Sequence, residues 1–129
     1  MRYVLDTHAL LWFLTRDTRL SERVRALMQK PETQFIVPAI SLAEAKYIAD
    51  RRRVAIGFTE VLESVASSPN FTIAPLDLAA IIRLPQGLDI HDALIVATAL
   101  ATAELANDEV TVLTADLSIT AAGIVPTYW

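Results

Sequence analysis

The chain has no cysteine. Disulfides and thiolate metal sites are therefore excluded, and a reducing compartment, the cytoplasm, is the expected setting. Basic residues are absent after Arg83: from Leu84 onward the chain carries Asp89, Asp92, Glu104, Asp108, Glu109 and Asp116 with no Lys or Arg among them. That half must face water, a cation or a basic partner. No apolar run is long enough to span a bilayer, since the stretch from Ala93 to Ala106 is broken by threonines and Glu104, so no membrane association is expected. Asp6 interrupts the first apolar stretch too early for a signal peptide. Repeats, low-complexity tracts and linkers are also missing. What is there is a chain of 129 residues, 53% hydrophobic and 20% charged, which reads as a single folded domain over residues 1–129. The net charge of −4 argues by itself against a general nucleic-acid binder.

The stretch from Arg2 to Leu14 organises the rest. Tyr3-Val4-Leu5 is a run of strand-formers that stops at a carboxylate, Asp6. A dense apolar run from Ala9 to Leu14 follows with no Gly or Pro between. This predicts a buried strand, a sharp turn and a helix. A strand apolar on both faces belongs in the middle of a parallel sheet. Its carboxyl end opens onto the crevice where such sheets hold ligands.

Further strands are expected at Phe35-Ile36-Val37, Phe71-Thr72-Ile73, Val110 to Leu113 and, at an edge, Ile124-Val125. Helices are expected from Glu22 to before Pro31, Leu42 to Asp50, Gly57 to Ser67, Leu76 to Leu84, Ile90 to about Leu105, and Leu117 to Ala122, with a turn over Pro38 to Ser41. The helix from Ile90 is apolar nearly all round, the mark of a buried helix. Strands alternating with helices give an α/β domain with a mainly parallel sheet.

Four acids stand out by position: Asp6, Glu44, Asp92 and Asp116. Taken singly, each has a capping explanation. Asp6 or Thr7 suits the N-cap of the first helix. Ser41-Leu42-Ala43-Glu44 has capping-box spacing, and Asp89-Ile90-His91-Asp92 repeats it. Asp116 could cap the short helix after it. Taken together, they follow strands or open helices on what should be one edge of the sheet. Capping explains each acid but not their gathering. Clustered carboxylates repel, and an all-oxygen site relieves that repulsion by binding Mg²⁺ or Mn²⁺.

These segments resemble a known family. Leu5-Asp6-Thr7-His8-Ala9-Leu10-Leu11-Trp12, Ser41-Leu42-Ala43-Glu44, Asp92-Ala93-Leu94-Ile95-Val96-Ala97-Thr98-Ala99 and Leu113-Thr114-Ala115-Asp116 look like the successive motifs of PIN domains, in particular of the VapC ribonuclease toxins of bacterial toxin–antitoxin pairs. The resemblance covers essentially the whole chain. It implies a three-layer α/β/α sandwich with a central, mainly parallel β-sheet. It implies a Mg²⁺- or Mn²⁺-dependent endoribonuclease that hydrolyses RNA phosphodiester bonds with a metal-activated water. Asp6, Glu44, Asp92 and Asp116 would be the catalytic and metal-binding quartet, and Thr114 would hold a carboxylate or a water. A small antitoxin that inhibits the site and a second copy of the chain, as a homodimer, are the implied partners. Two departures bear on substrate choice more than on chemistry: Ala43 stands where many relatives have a large aromatic, and Asp89-Ile90-His91 lacks a proline common after the first Asp.

Other readings are ranked lower. A receiver-type signalling domain would want a lysine near the last strands, and this chain has none after Lys46. A haloacid-dehalogenase-like phosphatase would want a second Asp two residues beyond Asp6, where His8 stands. The remaining alternative is a catalytically silent PIN-like interaction domain whose acids are helix caps. His8 and His91 flank two of the acids and are read as loop or helix-start residues. Arg51 to Arg53 is a solvated cluster or an RNA-backbone track, and Trp12 and Phe13 are core or interface.

Overall fold

The computed structural model describes residues Met1–Trp129. In chain order, β1 (Arg2–Leu5) leads into α1 (Thr7–Leu14), α2 (Glu22–Met28), β2 (Gln34–Pro38), α3 (Ala39–Asp50), α4 (Phe58–Ser67) and β3 (Phe71–Ala74). Then come α5 (Leu78–Ile82), α6 (Ile90–Ala106), β4 (Val110–Leu113), α7 (Leu117–Ala122) and β5 (Thr127–Tyr128). The strands form one sheet ordered β3-β2-β1-β4-β5, with every pairing parallel. β1 is its central strand, as its two-sided hydrophobicity requires.

Alternation along the strands divides the core in two. Leu5, Phe35, Val37 and Leu113 point into one cluster, where α1 to α4 contribute Leu10, Val24, Ala45 and Val61 among others. Val4, Ile36, Val110 and Val112 point into the other, closed by Ile95, Val96 and Ala99 of α6 and Ile119 of α7. The result is the expected α/β/α sandwich. No helix is long and apolar enough to cross a membrane.

Three expected boundaries are corrected. There is no turn over Pro38 to Ser41: α3 starts at Ala39, directly on the end of β2, with Pro38 extended at the N-cap position. A proline ring there loses nothing, because the first helical turn leaves its amides unbonded anyway. α5 is only Leu78–Ile82, because the Asp77 side chain accepts the Ala80 amide and sets the start. The last strand is Thr127–Tyr128 rather than Ile124-Val125. Gly123, at φ +63°, ends α7, Val125 drops into the second cluster, and the Pro126 carbonyl is the first to meet β4, at the Val112 amide.

Candidate active site

Asp6 follows β1 immediately. It occupies the N-cap position of α1, but its side chain makes no capping hydrogen bond. The register pairs Leu5 with Leu113, so the next residues on β1 and β4 emerge side by side at the carboxyl edge. There the Thr114 hydroxyl donates to Asp6 Oδ2 at 2.6 Å. The same hydroxyl oxygen accepts the Asp116 amide at 2.9 Å. Asp6 is 9% exposed. Burial pushes its carboxyl above the usual range, and the Thr114 bond, with the nearby Thr7 amide and His8, only partly offsets this.

Glu44 reaches the same edge by a route not apparent in the sequence. Ser41 is no cap. It lies inside the first turn of α3, fully buried, and its hydroxyl donates to the Leu5 carbonyl at 3.0 Å. That bond ties α3 to the end of β1, and Glu44, three residues on, shares Ser41's face. The Thr7 hydroxyl donates to Glu44 Oε1 at 3.1 Å. His91 Nδ1 lies 3.7 Å from Glu44 Oε2. The capping-box reading of Glu44 therefore fails, because the helix begins three residues earlier than its spacing supposed.

Asp92 lies in the first turn of α6. Asp89 occupies the N-cap position, but no side-chain capping bond forms there either. Burial, then the charges of Asp116, Asp6, Asp89 and Glu44 in that order, push the Asp92 carboxyl up to about 6. Asp116 behaves differently. Its Oδ1 accepts the Ser118 amide at 2.7 Å, so it does cap α7.

All four acids line one open cavity of about 430 Å³, joined by Asp89. His8, His91, Trp12 and Ala115 complete its wall, and no Lys or Arg reaches it. His8 is exposed and packs against Trp12, ring centroids 5.3 Å apart. No three acidic or imidazole side chains lie close enough to share an ion directly. The donor set nevertheless suits a hard divalent cation. It is carboxylate-rich and uncompensated, and an ion that keeps several of its waters needs only one or two direct carboxylates.

Thr7 and Ser41 are the polar residues that sequence reasoning underrated. Both are buried, at 1% and 0% exposure, and both were visible only as candidate caps. Trp12 and Phe13 are half-buried and pack on the first core cluster. Arg51, Arg52 and Arg53 are all exposed after α3.

The PIN domain family model matches residues 3–123. The chain belongs to the PIN domain family. No curated protein matches it. Solved structures do resemble this PIN domain. VapBC2 from Rickettsia felis, bound to a DNA fragment from its promoter, superposes with TM-score 0.69 at 15% identity, covering 99% of this chain and 98% of that one. FitAcB from Neisseria gonorrhoeae gives 0.67 at 24% identity, covering 98% and 96%. VapC20 from Mycobacterium tuberculosis, a sarcin–ricin loop cleaving toxin, gives 0.64 at 16% identity, covering 95% and 96%. At these identities the likeness is one of fold.

Proposed function

We propose that this PIN domain, as a single domain over residues 1–129, is a cytoplasmic metal-dependent endoribonuclease and the toxin of a toxin–antitoxin pair. The observation that carries this reading is the gathering of Asp6, Glu44, Asp92 and Asp116 in one cavity that no basic side chain enters. The sarcin–ricin loop cleavage ascribed to the VapC20 neighbour supports RNA as substrate. The four acids are the residues that would hold Mg²⁺ or Mn²⁺. Such an ion neutralises charge on a phosphate and lowers the pKa of a water.

The chain's own contribution is placement. Thr114 fixes one oxygen of Asp6 and, through the Asp116 amide, the loop that carries Asp116. Thr7 fixes Glu44. Because β1, α3 and β4 are joined by these bonds, the carboxylates sit on rigid elements, as precise positioning of a phosphodiester requires.

A small antitoxin would bring a basic side chain into a cavity that lacks one and an apolar segment onto Trp12. The antitoxin complexes among the structural neighbours support such a partner. A homodimer is supported by an apolar surface on α5, where Leu78 and Ile82 are 68% and 70% exposed. One observation favours the silent-domain alternative, the Asp116 cap; Asp6 and Asp89 make no such bond.

A labelled single-stranded RNA incubated with the purified chain, with Mn²⁺ or with chelator, tests the reading. Cleavage only with metal is expected. A folded chain that cuts no RNA in either condition would leave the interaction domain as the better account.

A further inference from the structure

A larger groove of about 740 Å³ lies beside the acidic cavity. The two share a wall, because His8, Trp12, Glu44 and His91 line both. Beyond that wall their chemistry diverges. The groove is lined by Leu11, Ile40, Ile48 and Val54, by the aromatic rings of Trp12 and Tyr47, and by two arginines, Arg19 and Arg53. Tyr47 is 55% exposed. Guanidinium groups already lie over both rings, Arg19 at 4.8 Å from the centre of Trp12 and Arg51 at 3.4 Å from that of Tyr47. Ala43 also lines the groove, exposed on α3 just before Glu44, so only a methyl group occupies that position.

We propose that this groove is a nucleobase-binding subsite, seating the nucleotide adjacent to the scissile phosphate of a single-stranded RNA. The inference rests on the nuclease reading above. A phosphodiester held in the acidic cavity has its neighbouring nucleotide within reach of the shared wall. An unpaired base is flat and largely apolar, and it stacks on aromatic rings or guanidinium planes. The groove offers both kinds of surface, and its volume falls within the roughly 300–1,000 Å³ of small-molecule sites. Charge complementarity selects the same occupant. Without a bound cation the acidic cavity repels phosphates, whereas Arg53, with exposed Arg51 and Arg52 beside it in the chain, attracts the phosphates that flank a bound base. A purely apolar peptide would offer Arg53 no anion, whereas Arg19 is already paired with Asp17.

The test measures binding apart from cleavage. A fluorescein-labelled RNA is titrated with wild type, Ala43→Phe, Tyr47→Ala, Tyr47→Phe and Arg53→Ala in Ca²⁺ in place of Mn²⁺, with circular dichroism to verify folding and a gel to verify that the RNA stays intact. All the substituted positions are exposed, so the fold should tolerate them. Ala43→Phe, which fills the groove, and Tyr47→Ala, which removes a ring, should each weaken binding about ten-fold. Tyr47→Phe should restore it, because the ring is retained. Folded variants that all bind RNA as wild type does would overturn the proposal. So would variants that keep RNA binding but lose a co-purified basic antitoxin, since the groove would then belong to a protein partner. If wild type binds RNA through the groove yet never cuts an unmodified RNA with Mn²⁺, the nuclease reading fails, and the groove stands as an RNA-binding site with no scissile phosphate beside it.

Discussion

Two aspartates of this chain titrate in opposite directions. Asp17, in the connection after α1, accepts hydrogen bonds from the Arg19 amide, Nε and guanidinium at 2.9, 3.1 and 2.8 Å. Those bonds hold its carboxyl down at about 2. Asp92, at the carboxyl edge of the sheet, is pushed up to about 6 by burial and by four other acids. The side chain is the same; the company differs. Asp17 has a cation of its own chain beside it. The sheet-edge acids face one another and have none. A fold gains nothing from the second arrangement; under the nuclease reading a cation from outside the chain would compensate it.

The largest effect should come from removing charge at the edge while keeping shape. Asp6→Asn and Asp92→Asn should each reduce metal-dependent RNA cleavage by more than the roughly 10- to 100-fold lost with a residue that merely supports a ligand. Asp17→Asn should leave cleavage unchanged. Comparable losses at all three positions in single-turnover assays would erase the contrast between loop and edge.

Thr7 sharpens it. Thr7→Val keeps the volume but leaves Glu44 Oε1 without its donor, and cleavage should fall by about 10- to 100-fold. The loss should appear in kcat rather than KM, and Thr7→Ser should recover most of it. Equal behaviour of Val and Ser would make Thr7 a packing residue only.

Stability should differ next. Asp92 has a raised folded pKa, so without metal the unfolded chain holds fewer protons than the folded one between about pH 4 and 6. Metal-free stability should therefore fall as pH rises through that window, and the penalty should be full above it. Asp92→Asn should flatten the slope and melt higher than wild type at pH 7. Mn²⁺ at about 100 times its Kd should add about 2.7 kcal/mol, several degrees of Tm for a chain of this size, and should add much less to the variant. Identical pH profiles for the two proteins, with no response to metal, would mean that the acids do not burden the fold.

The smallest effect belongs to the loop. The lowered pKa of Asp17 contributes stability above the usual carboxylate range, and that contribution is lost as pH falls toward 2. This is the reverse of Asp92. Arg19→Ala should change the neutral-pH Tm little, because the pair is solvent-exposed, and should shrink the acid-side loss without removing it, since the residue 19 amide still donates to Asp17. A large drop at pH 7 would show the pair to be structural after all.

Much of this was legible in the chain. The two-sided apolarity of Tyr3-Val4-Leu5 identified the central strand, and the all-round apolarity after Ile90 identified the buried helix. Ser41 and Glu44 carry capping-box spacing that points to a helix from Leu42, and the helix from Ala39 overrides it. The last strand lies later than Ile124-Val125: Val125 is buried and Ile124 exposed, and the pairing with β4 begins only at Thr127.

The sequence by itself determined the α/β class, the order of the elements and which acids follow strands or open helices, because local periodicity and side-chain type encode those features. Only the tertiary structure decided which acids are caps and which are free. That depends on donors arriving from far along the chain: Thr114 reaches Asp6 across 108 positions, Thr7 reaches Glu44 across 37, and Ser41 finds the Leu5 carbonyl across 36. A short-range spacing rule cannot see hydrogen bonds made by parallel strands brought into register, and at this sheet edge those bonds turn apparent caps into a shared cavity.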